Sequence, residues 1–151
     1  MALEKRILLA RPHAFIVSEM RPFLTDAGYS PVRVESLDQL ALELRRPLHG
    51  AIISTAVSSS VNADAATVFN LIRERSPTLP VVFAGMADLE TMKVVSERAV
   101  KAVVASPVVA GPATYRAAGD RASSFLILRK EDLLAGASRD AALRALRAHF
   151  G

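Results

Sequence analysis

Five short apolar runs alternate along the chain with longer segments in which apolar residues recur every three or four positions. The runs lie at residues 6–10, 32–35, 51–55, 79–84 and 101–105. Unbroken apolar runs of this length are typical of strands buried on both faces of a parallel sheet, and the longer spacing is typical of amphipathic helices. The alternation predicts an α/β domain, doubly wound, with helices on both faces of a five-stranded parallel sheet.

Turn and cap residues support the helices that this pattern predicts. Gly28 is placed to end the first helix, and Pro22 within that helix predicts a kink or a tightened turn. Ser36 is a suitable N-cap for the second helix, which begins directly after it. The local residue choices and the hydrophobic period therefore predict the same elements.

The C-terminal part of the chain predicts an elaboration of this domain. About thirty residues separate Pro107 from the last helix, predicted at 138–150, and a structureless loop of that length is uncommon in a compact domain. Within 108–137, Gly111 and Pro112 are suited to open a short helix, and the apolar run 125–128 predicts an extra strand. We expect this strand at the sheet edge beside the fifth strand, where it either covers the edge or pairs with a second copy of the chain. The prediction is one domain over 1–151, with its core at 1–107.

Composition excludes several classes of protein. The chain has 151 residues, no cysteine and three scattered histidines, so it has neither a disulfide framework nor a metal site of cysteine or histidine spacing. The N-terminal apolar run is too short for a signal peptide, and no stretch reaches the length of a membrane span. We expect a cytoplasmic protein without membrane insertion.

The chain is basic, with a formal net charge of +4. The densest group of basic residues is Arg139, Arg144 and Arg147, which alternate with apolar residues in the last predicted helix. A solvated helix face explains this pattern more simply than a nucleic-acid surface, because aromatic residues are few and no DNA-binding motif is present. Nucleic-acid contact stays open as an alternative.

The segments that flank the predicted strand ends resemble one protein family. Residues 50–55 (GAIIST), 76–82 (SPTLPVV) and 105–107 (ASP) are similar to the third strand, the entry to the fourth strand and the end of the fifth strand of the receiver domain of bacterial response regulators. The resemblance covers about the first 107 residues. It implies a flavodoxin-like fold with strand order 2-1-3-4-5, and a site at the carboxyl ends of the strands.

Carried over position by position, the resemblance implies a site whose chemistry is missing here. It places a metal-binding acidic pair at Ala10 and Arg11, a phosphoacceptor aspartate at Thr55, a switch hydroxyl at Gly85, and a lysine before a proline at Ser106. None of these five residues has the implied type. Magnesium needs carboxylate oxygens, and a threonine does not form an acyl phosphate, so the chain is interpreted as a degenerate pseudo-receiver. Only Pro107 keeps the pattern, and the resemblance implies a cis bond before it.

The leading functional hypothesis is a phosphorylation-independent adaptor of two-component or phosphorelay type that binds another signalling protein. No enzymatic activity and no cofactor are expected, because no acid/base pair or activated nucleophile is present. The resemblance implies a partner face formed by Lys93, Glu97, Arg98, Lys101, Arg144 and Arg147. One alternative is transcription regulation or nucleic-acid contact through the basic C-terminal helix. Another is small-anion sensing around Arg11, with Thr55, Ser106 and the serine loop 58–60.

Overall fold

The computed structural model describes residues 5–13, 16–56, 61, 63–115, 122–134 and 136–151, with the backbone alone at 16 and 17. In chain order the elements are β1 (Arg6–Arg11), α1 (Arg21–Asp26), β2 (Ser30–Arg33), α2 (Leu37–Glu43), β3 (Gly50–Ser54), α3 (Ala65–Arg75), β4 (Val81–Gly85), α4 (Leu89–Val100), β5 (Val108–Ala110), β6 (Ser124–Arg129) and α5 (Gly136–Phe150). A π-helical segment, Ile16–Met20, precedes α1, and a 3-10 turn, Lys130–Leu133, follows β6. The serine loop 58–60 lies outside the described residues.

The strands form one parallel sheet in the order β2-β1-β3-β4-β6-β5. Neighbouring side chains of a strand point to opposite faces, and both faces are covered. On one face Ile52 packs in a cluster with Leu24 of α1 and Leu146 of α5. On the other face Ile53 packs in a cluster with side chains of α2, α3 and α4. The predicted class, a flavodoxin-like doubly wound parallel sheet, is confirmed.

The helix boundaries follow the cap residues. Ser36 accepts a hydrogen bond from the Gln39 amide at the start of α2, as predicted, and Asp64 and Asp88 cap α3 and α4 in the same way. Pro22 lies in the first turn of α1, directly after the π-helical segment, and Gly28 adopts a positive φ of 95° after that helix. Among the described residues no helix combines the length and the apolar character needed to cross a bilayer.

The structure corrects the assignment of the fifth strand. Residues 101–105 form turns after α4, and the strand beside β4 is β6, which contains the apolar run 125–128. An interior strand needs apolar side chains on both faces, and Phe125 to Leu128 are all fully buried. The 108–137 segment therefore contributes a central strand, while the edge position belongs to the short β5, whose Val108 is 59% exposed.

The same correction moves Ser106. It lies just before β5 and lines a depression with Pro77 and Ser123, which precede β4 and β6. In a parallel sheet these positions share the amino end, opposite the carboxyl end where Thr55 follows β3. The prediction that placed Ser106 at the end of the last central strand is therefore wrong. The predicted cis bond before Pro107 is also wrong, because the described residues contain no cis peptide.

Candidate functional site

The carboxyl ends of four neighbouring strands bring the predicted site residues to one edge of the sheet. β1 ends at Arg11, β3 leads into Thr55, and β4 ends at Gly85, which lies in register with Arg129 of β6. Ala10 is fully buried in the core, one residue before this edge. The structure thus groups Arg11, Thr55 and Gly85 as predicted, with Arg129 in place of Ser106.

At this edge the side chain of Arg11 is buried and is hydrogen-bonded to three backbone carbonyls. Its Nη1 donates to the carbonyl oxygen of Ser54 over 2.8 Å and also to that of Ala56, and its Nε donates to the carbonyl oxygen of Ala63 over 2.8 Å. The residue is only 4% exposed. One guanidinium therefore links β1 to the end of β3 and to the segment that leads into α3.

The electrostatic setting of Arg11 is a buried cation beside backbone oxygens. Burial lowers the pKa of its guanidinium, and the charge of Asp64 acts in the opposite direction. Arginine remains protonated in proteins, so the group is a permanent cation where the resemblance implies a metal-binding carboxylate. The pKa of Asp64 is lowered mainly by its hydrogen bonds with Thr67, and also by Arg11. Among the described residues, no group of three or more histidine, cysteine, aspartate or glutamate side chains is placed to hold a metal ion.

Thr55 and Gly85 fit together as a pair. The Thr55 hydroxyl lies 3.2 Å from Sδ of Met92 and 3.5 Å from the carbonyl oxygen of Ala84. A Cβ at Gly85 would lie 2.4 Å from Thr55 Oγ1 and 2.8 Å from Met92 Sδ, closer than real contacts. Gly85 therefore leaves the space that the Thr55 hydroxyl occupies, and the hydroxyl is directed toward Met92 of α4.

Arg129 is the site residue that the sequence interpretation missed. It ends β6 in register with Gly85, so the position for which the resemblance implies a lysine falls here rather than on Ser106. Its guanidinium lies 3.2 Å from Glu131 and 3.9 Å from Asp132, and its charge contributes to lowering the pKa of Asp88, after that residue's hydrogen bonds with Thr91. The available signal was the basic pair Arg129-Lys130 directly after the apolar run 125–128.

The predicted partner-face residues fall into two groups on opposite faces of the sheet. Lys93, Glu97, Arg98 and Lys101 belong to α4 and its C-cap, and Arg144 and Arg147 belong to α5. All are exposed except Lys93, which is half-buried. The two helices pack in different core clusters. The predicted face is therefore two surfaces that flank the β5 edge.

A groove of about 370 Å³ lies beside α5, between that helix and the segment after β5. Small and apolar side chains line it together with Arg144, and the complete lining is Pro112, Ala113, Tyr115, Ala141, Arg144, Ala145 and Ala148. Residues 112–114 form a turn here rather than the predicted short helix, whose remainder, 116–118, lies outside the described residues. The turn and α5 together shape the groove.

A buried polar chain holds the wall of this groove in place. His149 is fully buried, with Nε2 2.8 Å from the carbonyl oxygen of Val81 and Nδ1 2.7 Å from the hydroxyl of Tyr115. A carbonyl oxygen only accepts, so Nε2 carries the proton that is donated to Val81, and in the neutral ring Nδ1 accepts from Tyr115. These two hydrogen bonds connect β4, α5 and the end of the 111–115 segment.

No protein-family model and no curated protein match this sequence. Solved structures do match it by fold. NtrX from Brucella abortus superimposes with a TM-score of 0.61 at 16% identity, over 97% of this chain and 27% of that protein. A signal receiver domain of an HD domain-containing protein from Pseudomonas fluorescens gives 0.59 at 13% identity, over 98% and 88%.

A response regulator receiver protein from Sinorhizobium medicae gives a TM-score of 0.53 at 22% identity, with 97% of both chains covered. At these identities the likeness establishes the receiver-like fold. The chain thus spans about a quarter of NtrX and nearly all of the Sinorhizobium receiver protein.

Proposed function

We propose that the chain is a cytoplasmic signal-transduction adaptor of two-component type, a pseudo-receiver that acts by binding another protein and not by accepting a phosphoryl group. The hydrogen bonds of Arg11 to three backbone carbonyls carry this proposal. A guanidinium held there supplies no oxygen to a divalent cation, and its positive charge opposes the approach of one. Phosphoryl transfer relies on such a cation to offset the charge of the phosphoryl oxygens.

The acceptor position supports the same proposal. Thr55 has a hydroxyl in place of the carboxylate that forms an acyl phosphate, and that hydroxyl is directed toward Met92. Switch chemistry that depends on a second hydroxyl at Gly85 lacks both the atom and the space for it. These contacts therefore favour a function carried by the surfaces of the fold over a reaction at the ends of the strands.

The α5 groove is the surface we assign to the partner. Its lining is mostly alanine and proline side chains, which suit a small apolar side chain, and the exposed Arg144 and Arg147 add positive charge beside it. A partner segment with acidic residues around an apolar anchor has the complementary chemistry. The cation of Arg139 is not part of this surface, because it pairs with Asp26 at 2.7 Å and lies over the ring of Phe23.

The contacts of Arg139 and Arg11 argue against the two alternatives, nucleic-acid contact and small-anion sensing. Arg139 is engaged within the fold, so only two of the three arginines of α5 remain exposed, which is a small cationic surface for a nucleic-acid backbone. Small-anion sensing around Arg11 requires donors directed outward, whereas the donors described for Arg11 are directed at carbonyl oxygens, and Ser106 lies at the other end of the sheet. Protein binding is therefore the function we favour.

We expect an affinity capture from native extract to retain a protein on the wild-type chain and roughly tenfold less of it on an Arg144→Glu/Arg147→Glu variant, because reversed charges repel an acidic segment. Arg45→Glu/Arg46→Glu is the matched control, since both arginines are exposed after α2 and distant in sequence from α5. Mass spectrometry of the retained proteins gives the measurement.

Nuclease treatment of the extract separates the alternatives. Retention that persists after nuclease and survives in the control variant agrees with the adaptor proposal. Retention that disappears with nuclease indicates nucleic-acid contact instead, and equal retention on both charge-reversed variants would show that the α5 groove is not the binding surface.

A further inference from the structure

Basic residues that are far apart in the sequence meet at one end of the sheet. Helices α2, α3 and α4 pack on the same face of the sheet, and each runs back from the carboxyl end of the strands to the amino end. Their C-terminal ends therefore lie side by side at the amino end. All three ends carry exposed basic side chains, which are Arg45, Arg46, Arg75, Arg98 and Lys101. We call this set the basic face.

The cations of the basic face are not paired with carboxylates of the fold. Among the described residues, none of its five side chains forms an ion pair, whereas Arg6 pairs with Glu43 and Arg139 pairs with Asp26. The helix dipole favours a basic residue at each helix C-terminus. It does not by itself account for two exposed cations after α2 and two more at the end of α4.

The acidic residues of these helix ends leave the basic face positive. Glu43 is paired with Arg6, and the exposed carboxylates in the last turns of the three helices are Glu74 and Glu97. Helices in contact lie about 10 Å apart, so a row of three helix ends spans about 20 Å. A small anion contacts one or two of the five cations, whereas an extended anionic surface attracts the whole row.

An exposed aliphatic side chain lies among these cations. Val103, 51% exposed, is in the turn after α4, two residues beyond Lys101. It lines a depression of about 430 Å³ together with Pro77, which follows α3, and the half-buried Val104. Basic side chains around an aliphatic group suit a bilayer with anionic lipids, where the cations meet the headgroups and the apolar group reaches the acyl boundary.

The aromatic residues argue against a nucleic acid as the occupant. In the described part of the chain every phenylalanine and tyrosine is buried, so no ring is available to stack on a base. The basic face consists of helix ends and turns, and it presents no helix side or strand pair to a groove of a duplex. Beside a phosphodiester backbone Val103 would also stay in water and gain nothing.

We propose that the basic face docks on the surface of a bilayer that contains anionic phospholipids, with Val103 at the boundary between headgroups and acyl chains. The inference goes beyond the adaptor function, because the α5 groove belongs to the other face of the sheet. Docking in this way holds a partner of that groove close to a membrane.

Co-sedimentation of the full chain with lipid vesicles tests this proposal. At about 0.1 M salt the wild-type chain is expected to bind vesicles made of equal parts phosphatidylglycerol and phosphatidylcholine, and not vesicles of phosphatidylcholine alone. Arg75→Glu/Lys101→Glu is expected to bind the anionic vesicles at least roughly tenfold more weakly, because each reversal replaces an attraction to the headgroups with a repulsion.

The matched control is Arg21→Glu/Lys130→Glu, which lowers the net charge by the same amount. Both positions are exposed and lie away from the basic face, since Arg21 belongs to α1 on the other face and Lys130 follows β6 at the carboxyl end. This variant is expected to keep its vesicle affinity within about twofold, because charges beyond a Debye length are largely screened.

Two further variants separate lipid binding from a loss of structure. Arg75→Gln/Lys101→Gln removes the charges without reversing them and is expected to show an intermediate affinity, and circular dichroism checks that each variant is folded. Val103→Ser is expected to weaken vesicle binding about threefold, because the bilayer buries part of the valine side chain.

Four results would overturn the proposal. The wild-type chain does not distinguish anionic from neutral vesicles, Arg21→Glu/Lys130→Glu loses as much affinity as Arg75→Glu/Lys101→Glu, Val103→Ser binds like the wild type, or a DNA duplex of random sequence binds the chain more tightly than the anionic vesicles do. The last result would assign the basic face to a nucleic acid.

Failure of this inference is separable from failure of the adaptor function. Partner capture depends on Arg144 and Arg147 of α5, on the other face of the sheet. It is expected to persist in Arg75→Glu/Lys101→Glu, so a chain that captures its partner and ignores anionic vesicles contradicts the membrane proposal alone.

Discussion

Replacing Arg11 with alanine is expected to lower the free energy of unfolding by about 2–4 kcal/mol, because three backbone carbonyls then lose a charged donor at once. Hydrogen bonds from a charged group contribute more than neutral ones, and Ser54, whose carbonyl is one acceptor, is 1% exposed. Arg11→Lys is expected to fall between alanine and the wild type, since an ammonium keeps the charge but not the planar set of donors. Urea unfolding followed by circular dichroism measures the change.

The matched control for this prediction is Arg98→Ala, an exposed arginine on α4, whose loss is expected to change stability by less than about 0.5 kcal/mol. If Arg11→Ala and Arg98→Ala unfold at the same urea concentration, the three hydrogen bonds of Arg11 contribute nothing to the fold. The proposal that Arg11 stabilises the fold at the position where the resemblance implies a carboxylate would then be incorrect.

The second large effect is expected at His149. His149→Leu removes the ring that bridges Val81 and Tyr115, and we expect a loss of about 3–4 kcal/mol because buried polar atoms on β4 and on the 111–115 segment lose their partner together. Tyr115→Phe removes only the hydroxyl and is expected to lose about 1–2 kcal/mol. Urea unfolding of each variant measures both losses.

A double-mutant cycle shows whether Tyr115 and His149 stabilise the fold through their mutual hydrogen bond. The double variant Tyr115→Phe/His149→Leu is expected to lose about 1 kcal/mol less than the sum of the single losses, since the Tyr115 hydroxyl has already lost His149 in the single variant. Additive losses would contradict the hydrogen bond between the two side chains. They would also remove the reason to treat the wall of the α5 groove as rigid.

The central strands could be predicted from the sequence because their side chains are buried on both faces of the sheet and are therefore apolar at nearly every position. Residues 6–10, 51–55 and 79–84 are apolar at nearly every position, and β1, β3 and β4 are found there within two residues. The same requirement, applied strictly, favours 125–128 over 101–105 as the strand beside β4, since Phe125 packs against both Phe69 and Phe83. The run 101–105 (KAVVA) was assigned as the fifth strand because it is short and mostly apolar, and the resemblance at 105–107 agreed with that assignment.

The sequence predicted which residues lie at the site, but it did not predict where their side chains are directed. Sequence position alone placed Arg11 and Thr55 at neighbouring strand ends, and the fold confirms that placement. Whether the guanidinium is directed inward or toward solvent depends on carbonyls at Ser54 and Ala63, which lie more than forty residues away in the chain. The fit between Thr55 and Gly85 likewise depends on the distance between two strands, and local spacing carries no information about it.

The most direct test of the proposed loss of receiver chemistry is a nitrogen-15 NMR titration of the chain with magnesium and then with beryllofluoride, a phosphoryl mimic. An ordinary phosphorylatable receiver domain in the same buffer confirms that the reagents are active. We expect the amide signals of Arg11, Thr55 and Gly85 to stay at their positions throughout, because the buried guanidinium of Arg11 lies where the resemblance implies a metal-binding carboxylate. Saturable shifts of these signals would contradict the account and show that the site still binds a metal and a phosphoryl group.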